Sequence, residues 1–174
     1  MISRLSVSLL LVCCVGGVSA QTTQPCATED HHAFDFWLGQ WQVHSKDGQL
    51  AGRNHIQSAE GGCLLIERWQ GQNGASGQSY NYFDRTDQQW HQLWVSPGVV
   101  IDISGTRQGQ QMQLSGEIRY QQAGNKLPFR GTWTLREDGA VVQFFEQFNP
   151  TESRWDEWFT GIYTKPKPEL PTQE

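Results

Sequence analysis

Phe34-Asp35-Phe36-Trp37-Leu38-Gly39-Gln40-Trp41 is the stretch of sequence that decides the fold. It is rich in aromatic side chains, carries a single charge, and leads into one strand-like segment after another with no long helical pattern between them. The all-β pattern that follows this stretch predicts a single antiparallel up-and-down β-barrel of about ten strands. We expect a short helical turn over 31–38 before the barrel, and we expect Trp37 and Trp41 to close one of its ends.

Strand-like runs alternate with turn signals at roughly the 8–12-residue spacing of an all-β barrel or sandwich. Asp47-Gly48 and Asp138-Gly139 suit tight hairpins because glycine accepts a positive φ. A meander of such strands must close on itself or expose two edges, and closure removes the edges. The predicted strands are Gly39–Lys46, Ala51–Ala59, Cys63–Gln70, Gln78–Asp84, Gln89–Val95, Val99–Gly105, Gln111–Tyr120, Leu127–Glu137, Val141–Asn149 and Arg154–Lys165.

The N-terminus has the pattern of a cleavable signal peptide, with an apolar run before the small residues Val18-Ser19-Ala20. A membrane anchor is one alternative, but the apolar run is shorter than the ~20 residues of a spanning helix. A lipoprotein that uses Cys13 or Cys14 is another, although neither follows the small residue that a lipobox requires. We therefore predict a periplasmic or secreted protein without a stable membrane anchor, divided into a leader (1–20), a barrel domain (21–165) and a Pro-rich extended tail (166–174).

Charge and cysteine usage narrow the classes of function. The formal net charge is −5, and no basic cluster precedes the tail, so nucleic acid and anionic membranes are poor partners. Cys26 and Cys63 remain after the leader, and two cysteines in an oxidising compartment usually pair. A bridge between them would stabilise the fold by roughly 3–4 kcal/mol in the chain-entropy model. Two free thiols are the alternative.

Polar residues share strand faces with aromatic residues at several places. Period-2 alternation puts Glu67 on one face with Trp69, and Gln92 on one face with Trp94. If such faces look inward, the lumen has the composition of a small-molecule pocket; otherwise the polar groups lie at the rims or in solvent. The same pattern joins Asn81 with Phe83, Glu146 with Phe144 and Phe148, and Glu157 with Phe159. The predicted ligand-binding residues are Glu67, Trp69, Asn81, Gln92, Trp94 and Trp133.

The opening stretch resembles the N-terminal FDFWLGxW box of an uncharacterised family of exported bacterial lipocalin-like proteins of the calycin type. The resemblance implies a barrel that holds a small hydrophobic or flat ligand. It also implies that Gly39-x-Trp41 packs against a basic residue of the last strand, either Lys165 or Arg154. The family brings no agreed activity, so the resemblance implies no catalytic residues. The likeness spans about residues 26–165, with further similar segments at 62–69, 77–84, 90–95 and 155–163.

Three hypotheses for the function follow. The first is an exported barrel that binds a small apolar or aromatic molecule in its lumen. The second is a small isomerase or hydrolase that uses lumenal carboxylates, such as Glu67 with Glu146, the kind of pair that glycosidases use. The third is a cell-envelope interaction protein with a packed core, which a cavity below roughly 300 Å³ would favour.

Other chemistry has little support in the sequence. A buried carboxylate would need a partner, because desolvating it alone costs several kcal/mol. The available cations are Arg68, Arg119, Arg130 and Arg154. The adjacent His31 and His32 point apart unless the backbone bends, so we expect no metal. We also expect no cofactor, since neither a phosphate-cradling loop nor a motif for a haem ligand is present.

Overall fold

A computed structural model describes residues 25–166, which form a closed barrel of ten antiparallel strands. Each strand pairs with its neighbours in sequence, and the last strand pairs with the first. The predicted all-β, up-and-down barrel of ten strands is therefore confirmed. The strands are β1 Gly39–His44, β2 Leu50–Ala59, β3 Leu64–Gly71, β4 Ser76–Asp84, β5 Gln89–Val95, β6 Val99–Gln108, β7 Gln111–Tyr120, β8 Asn125–Leu135, β9 Val141–Asn149 and β10 Arg154–Thr164. Short 3-10 segments lie at Glu29–His32, Asp35–Trp37 and Glu60–Gly62.

Closure of the sheet depends on β1, which bonds to β2 along one edge and to β10 along the other. Val43 lies opposite Gly52 of β2 and opposite Tyr163 of β10. Because each of the ten described strands has two partners, residues 25–166 leave no long sheet edge open to another chain. The observed bounds of each strand fall within three residues of the predicted ones.

The two ends of the barrel differ. At one end the N-terminal segment crosses the opening and places the fully buried rings of Phe34 and Trp37 inside. The disulfide between Cys26 and Cys63 fastens this segment to the residue before β3, which confirms the predicted pairing. We call this the closed end. The open end is bordered by the hairpin loops 45–49, 72–75, 96–98, 121–124 and 150–153.

The described residues include no helix that is long and apolar enough to cross a membrane. The predicted leader, 1–20, lies outside the described residues, as does the predicted tail after residue 166. The structure therefore covers the predicted barrel domain from residue 25 to its end.

A cation covers the Gly-x-Trp motif of β1 at the closed end. Lys165 follows β10 directly, and its Nζ lies 3.4 Å from the centroid of the Trp41 ring. The same Nζ donates a 2.8 Å hydrogen bond to the carbonyl of Leu38. Gly39, with φ of +120°, leaves room for this ammonium, since a Cβ there would lie 2.5 Å from it. The contact implied by the resemblance is thus made by Lys165, whereas Arg154 lies at the other end of β10.

Replacing Lys165 with Met should lower the free energy of unfolding by about 1 kcal/mol. Met retains an apolar stem over Trp41 but loses the cation–π contact and the charged hydrogen bond to Leu38. Urea denaturation followed by tryptophan fluorescence measures the change. The matched control is Lys126→Met, which removes an exposed ion pair with Glu117 and should cost no more than about 0.5 kcal/mol. Equal costs for the two variants would contradict a special role for Lys165.

A β-bulge in β10 changes which of its side chains face the lumen. The pairing with β9 shifts between Glu157 and Phe159, so Trp158 is the extra residue. Glu157 therefore faces outward, where it pairs with Lys46, while Phe159 faces the lumen. The prediction that Glu157 and Phe159 share one face of the strand is wrong, because period-2 alternation stops at the bulge.

The Glu146 side of β9 also faces outward. Glu146 accepts a 2.6 Å hydrogen bond from Arg130 on the outer surface, whereas Gln143 and Phe145 face inward. Both faces of β9 carry apolar or aromatic residues, so alternation alone cannot choose between them. Glu67 and Glu146 lie on opposite sides of the barrel wall, which excludes them as a catalytic carboxylate pair.

Candidate ligand-binding cavity

The lumen is built in three layers, because inward residues of neighbouring strands lie side by side around the barrel. The layer at the closed end is apolar and tightly packed. There the Phe34 ring stacks on Trp37 at 5.0 Å and meets the edges or faces of Trp90 and Trp133 at 5.5 and 5.2 Å. The middle layer is polar around more than half of the circumference, and the layer at the open end is aromatic.

A continuous chain of hydrogen bonds forms the middle layer, and we call it the polar belt. Its members are all buried and lie on six strands; they are Gln92, Asn81, Ser79, Glu67, Asn54, Tyr163 and Gln143. On one side of Glu67, Gln92 Nε2 donates to Asn81 Oδ1 (2.7 Å), Asn81 Nδ2 donates to Ser79 Oγ (2.8 Å), and Ser79 Oγ donates to Glu67 Oε2 (2.6 Å). On the other side, Asn54 Nδ2 donates to Glu67 Oε1 (2.6 Å) and to Tyr163 Oη (3.2 Å). Tyr163 Oη in turn donates to Gln143 Oε1. Such a connected network holds each side chain in one orientation.

Glu67 is the carboxylate of the polar belt, and it is 3 % exposed. Burial raises the pKa of Glu67 from 4.5 to about 7, and the hydrogen bonds from Ser79 and Asn54 offset part of that rise. Burial, together with the charge of Glu67, also raises the pKa of Tyr163 well above its ordinary value. Near neutral pH, Glu67 is therefore present in both its protonated and its ionised form.

Neutral donors surround Glu67, and among residues 25–166 no Lys, Arg or His forms an ion pair with it. The arginine partner considered from the sequence is not there, because all four candidates bond to groups outside the lumen. Arg68 donates to Gln57, Arg119 to Glu117 and Asp102, Arg130 to Glu146, and Arg154 to Asp156. The ionised form of Glu67 thus remains without a counter-charge in the described chain.

A cavity of about 140 Å³ lies between the polar belt and the open end. Polar groups form its inner side, namely Glu67, Gln92, Gln143 and Tyr163. Its remaining lining is aromatic apart from one aliphatic side chain, and consists of Trp69, Trp94, Phe145, Trp158, Phe159 and Ile101. Trp158, the bulged residue of β10, is 41 % exposed and stands at the mouth. A ligand in the cavity would therefore contact ring surfaces around it and hydrogen-bonding groups at its inner end.

Two glycines fix the positions of the tryptophans in the cavity wall. The Trp94 ring lies over Gly77, where an added Cβ would come within 2.2 Å of the ring. The Trp69 ring lies over Gly52 in the same way, at 2.7 Å from an added Cβ. Since only glycine allows this close approach, the two indoles can lie against the wall and leave the centre open.

Four of the six predicted ligand-binding residues meet in this cavity: Glu67, Trp69, Gln92 and Trp94. Asn81 stands one hydrogen bond behind the cavity and holds Gln92. Trp133 lies deeper, in the packed layer of the closed end, where its ring contacts Phe34 and Phe145. It is fully buried and does not line the cavity.

Sequence reasoning missed six residues of the lining. Phe159 and Tyr163 face inward from β10, but the polar residue that the sequence pattern pairs with Phe159 is Glu157, which the bulge turns outward. Gln143 and Phe145 alternate on β9 as Gln92 and Trp94 do on β5, which is the signal that could have found them. Trp158 reaches the mouth only through the bulge, and Ile101 carries no signal that distinguishes it from other core residues.

The cavity volume limits the ligand that fits. About 140 Å³ is less than half of the ~300 Å³ at which pockets for drug-sized ligands begin. By that criterion alone the lumen favours the packed-core hypothesis over a pocket for a large ligand. The volume is close to the ~150 Å³ of an apolar cavity that binds benzene in another protein. A fatty acid or a flavin does not fit inside this cavity as it stands, whereas a molecule with one ring or a similar number of atoms does.

Asp84, Asp87 and His91 form a group outside the lumen whose ligand atoms lie within 4.8 Å of one another. Asp84 accepts hydrogen bonds from Thr86, and Asp87 bonds to His91 at 2.9 Å. These bonds hold the β4–β5 turn, so the group has a structural explanation without a metal ion.

Comparison of the chain with protein-family models gives no match, and comparison with curated proteins gives none either. The case for a function therefore depends on the cavity and the residues around it.

Proposed function

We propose that this barrel is an exported protein that binds one small aromatic or apolar molecule, of about single-ring size, in the cavity at its open end. The observation that carries the proposal is the composition of the lining, with aromatic side walls and four hydrogen-bonding side chains at the inner end. Binding sites for small molecules combine apolar walls with a few fixed polar groups in this way.

The polar belt supports the proposal because it gives the ligand a defined orientation. Gln92 and Gln143 reach the cavity while their other bonds, to Asn81 and to Tyr163, hold them in place. Side chains fixed before binding lose little conformational entropy when the ligand arrives. The polar group of the ligand would point toward Glu67 and its rings or methyl groups toward the mouth.

Export is part of the proposal, since the leader-like residues 1–20 are joined to a domain with a disulfide. The Cys26–Cys63 bond supports an oxidising compartment, the periplasm or the cell exterior. Export to such a compartment would expose the open end to small molecules from the surroundings.

A titration with single-ring compounds tests the proposal, and Gly77→Ala supplies the sensitive variant. Phenol, benzyl alcohol and indole should shift the tryptophan emission of the wild-type protein, because Trp69 and Trp94 line the cavity. A Cβ at Gly77 would push Trp94 into the cavity, so we expect affinity to fall about tenfold or more. Isothermal titration calorimetry gives the dissociation constants.

Gly98→Ala is the matched control, because the same added methyl group meets nothing within 4 Å. It should bind like the wild type. Oleate and riboflavin serve as size controls and should not compete. If no single-ring compound changes the emission or gives heat, the packed-interior hypothesis replaces this one.

An enzyme that uses the same cavity is the second candidate, and the pKa of Glu67 favours it. A buried carboxyl with a pKa of about 7 can serve as a general acid or base at neutral pH. An arginine partner was expected for a buried carboxylate, and the cavity lining holds none among residues 25–166. Catalysis would be established if the wild-type protein converts a bound compound, and Glu67→Gln still binds that compound with similar affinity but no longer converts it.

A further inference from the structure

The cavity carries a charge imbalance. Glu67 is its single carboxylate, and its lining includes no Lys, Arg or His among the described residues. An ionised carboxylate that is buried without a positive partner is unfavourable, and the pair becomes favourable when a cation with good geometry is added. The four candidate arginines of the described barrel bond to groups on its outer surface, so a positive partner would have to come with the ligand.

The aromatic walls favour the same kind of ligand. Six aromatic rings border the cavity, with Trp69 edge-on to Phe159 at 6.3 Å and Phe145 tilted against Trp158 at 6.3 Å. The face of an aromatic ring attracts a cation, most strongly for tryptophan, and cages of such rings bind quaternary ammonium groups. Rings on the walls and a carboxylate at the inner end form a site with uniformly negative character.

We propose that the cavity is selective for a small organic cation, whose ammonium group lies between the tryptophan rings and the Glu67 carboxylate. This inference rests on the proposed function and refines its ligand, whose apolar or aromatic part would carry an ammonium group. Gln92 and Gln143 are placed to bond to a hydroxyl or amide of the same ligand. The volume of about 140 Å³ restricts the cation to the size of a choline or a benzylamine.

Binding of a cation should depend on pH through Glu67. The groups that face Glu67 are Asn54 from β2, Ser79 from β4 and Tyr163 from β10, and only the tyrosine titrates. Because burial raises the pKa of Tyr163 further above its ordinary value, the tyrosine stays neutral near pH 7. The pKa of Glu67 is about 7, so a fixed cation should bind more tightly as pH rises through that value.

Choline and 3,3-dimethylbutan-1-ol provide the test, because they have nearly the same shape and differ in charge. Choline does not titrate, so any pH dependence belongs to the protein. At pH 8 we expect choline to bind about tenfold more tightly than the alcohol. At pH 6 about one tenth of Glu67 is ionised, so choline should bind about tenfold more weakly than at pH 8. Calorimetry measures both affinities.

Glu67→Gln should lose the preference for choline and its pH dependence while it still binds the alcohol. Glu146→Gln is the matched control, since that carboxylate lies on the outer surface against Arg130. If the alcohol binds as well as choline at pH 8, or choline binding ignores pH, the cation inference is overturned and the proposed function stands. If neither compound nor any single-ring probe binds, both fail.

Discussion

Glu67→Gln is expected to raise the free energy of unfolding at pH 8 by about 3 kcal/mol and to leave it nearly unchanged at pH 4. Burial raises the pKa of Glu67 to about 7, whereas the unfolded chain releases the proton near 4.5. The folded state therefore holds the proton more tightly. The stability that Glu67 contributes is complete below pH 4.5, declines as the pH rises, and is lost above about 7.

A glutamine amide can replace the protonated carboxyl without breaking the polar belt. Its carbonyl oxygen can accept the hydrogen bond from Asn54, and its amide nitrogen can donate to the Ser79 hydroxyl, which accepts as well as donates. The variant thus keeps the shape and the bonds of the neutral form and never becomes charged. This is why the expected gain appears only where the wild-type carboxyl is ionised.

Urea unfolding at pH 4, 6 and 8 measures the effect, and the difference between variant and wild type cancels the other titrating groups. Glu146→Gln is again the control, because it breaks only a surface ion pair and should change stability by less than about 1 kcal/mol at any of these pH values. If Glu67→Gln were less stable than the wild type at pH 8, ionised Glu67 would be better compensated than the structure indicates.

Glu67 is buried at a position where its ionised form lowers the free energy of unfolding, which points to a role in function rather than in stability. A belt closed by glutamine would be more stable at neutral pH, yet it would present no charge to the cavity. Functional sites often keep groups that destabilise the fold. Glu67→Gln is predicted both to raise the free energy of unfolding at pH 8 and to abolish selectivity for a cation. If both results are observed, a single substitution shows that stability and binding make opposite demands at this position.

The sequence allowed the barrel to be predicted because its signals are local. Strand runs end at turn residues such as Asp47-Gly48, and the one remaining pair of cysteines allows one disulfide. The cavity was found in part, because β3 and β5 each alternate a polar residue with a tryptophan. Glu67 with Trp69 and Gln92 with Trp94 stand out for that reason.

What sequence could not supply was the orientation of strands that look alike on both faces. β9 carries Phe144 with Glu146 on one face and Gln143 with Phe145 on the other. Which face looks inward depends on contacts with neighbouring strands, such as that between Glu146 and Arg130 of β8. The bulge at Trp158 likewise arises from pairing with β9 rather than from its own residues. The open centre of the lumen follows from how closely Trp94 lies over Gly77, which is a three-dimensional property.

Phe34→Ala is expected to lower the free energy of unfolding by about 3–5 kcal/mol. Phe34 is fully buried, and its ring contacts Phe36, Trp37, Trp90 and Trp133 at centroid distances of 5.0–5.5 Å. Alanine would leave a cavity among large rigid rings, which cannot easily collapse into it. A cost of this size is a large part of the total stability of a small domain, which is about 5–15 kcal/mol.

We expect the loss of stability in Phe34→Ala to reflect the packing of the closed end, and not the removal of an aromatic ring as such. Tyr80→Ala is the matched control, since Tyr80 is 46 % exposed on the outer face of β4, and it should cost less than about 1 kcal/mol. The urea midpoint should fall for Phe34→Ala with an unchanged slope, because the fold itself persists. Equal costs in the two variants would mean that the N-terminal segment does not plug the barrel. The aromatic layer at the closed end would then not depend on Phe34. The polar belt above it, which forms the inner side of the cavity, would not be held in place by that ring.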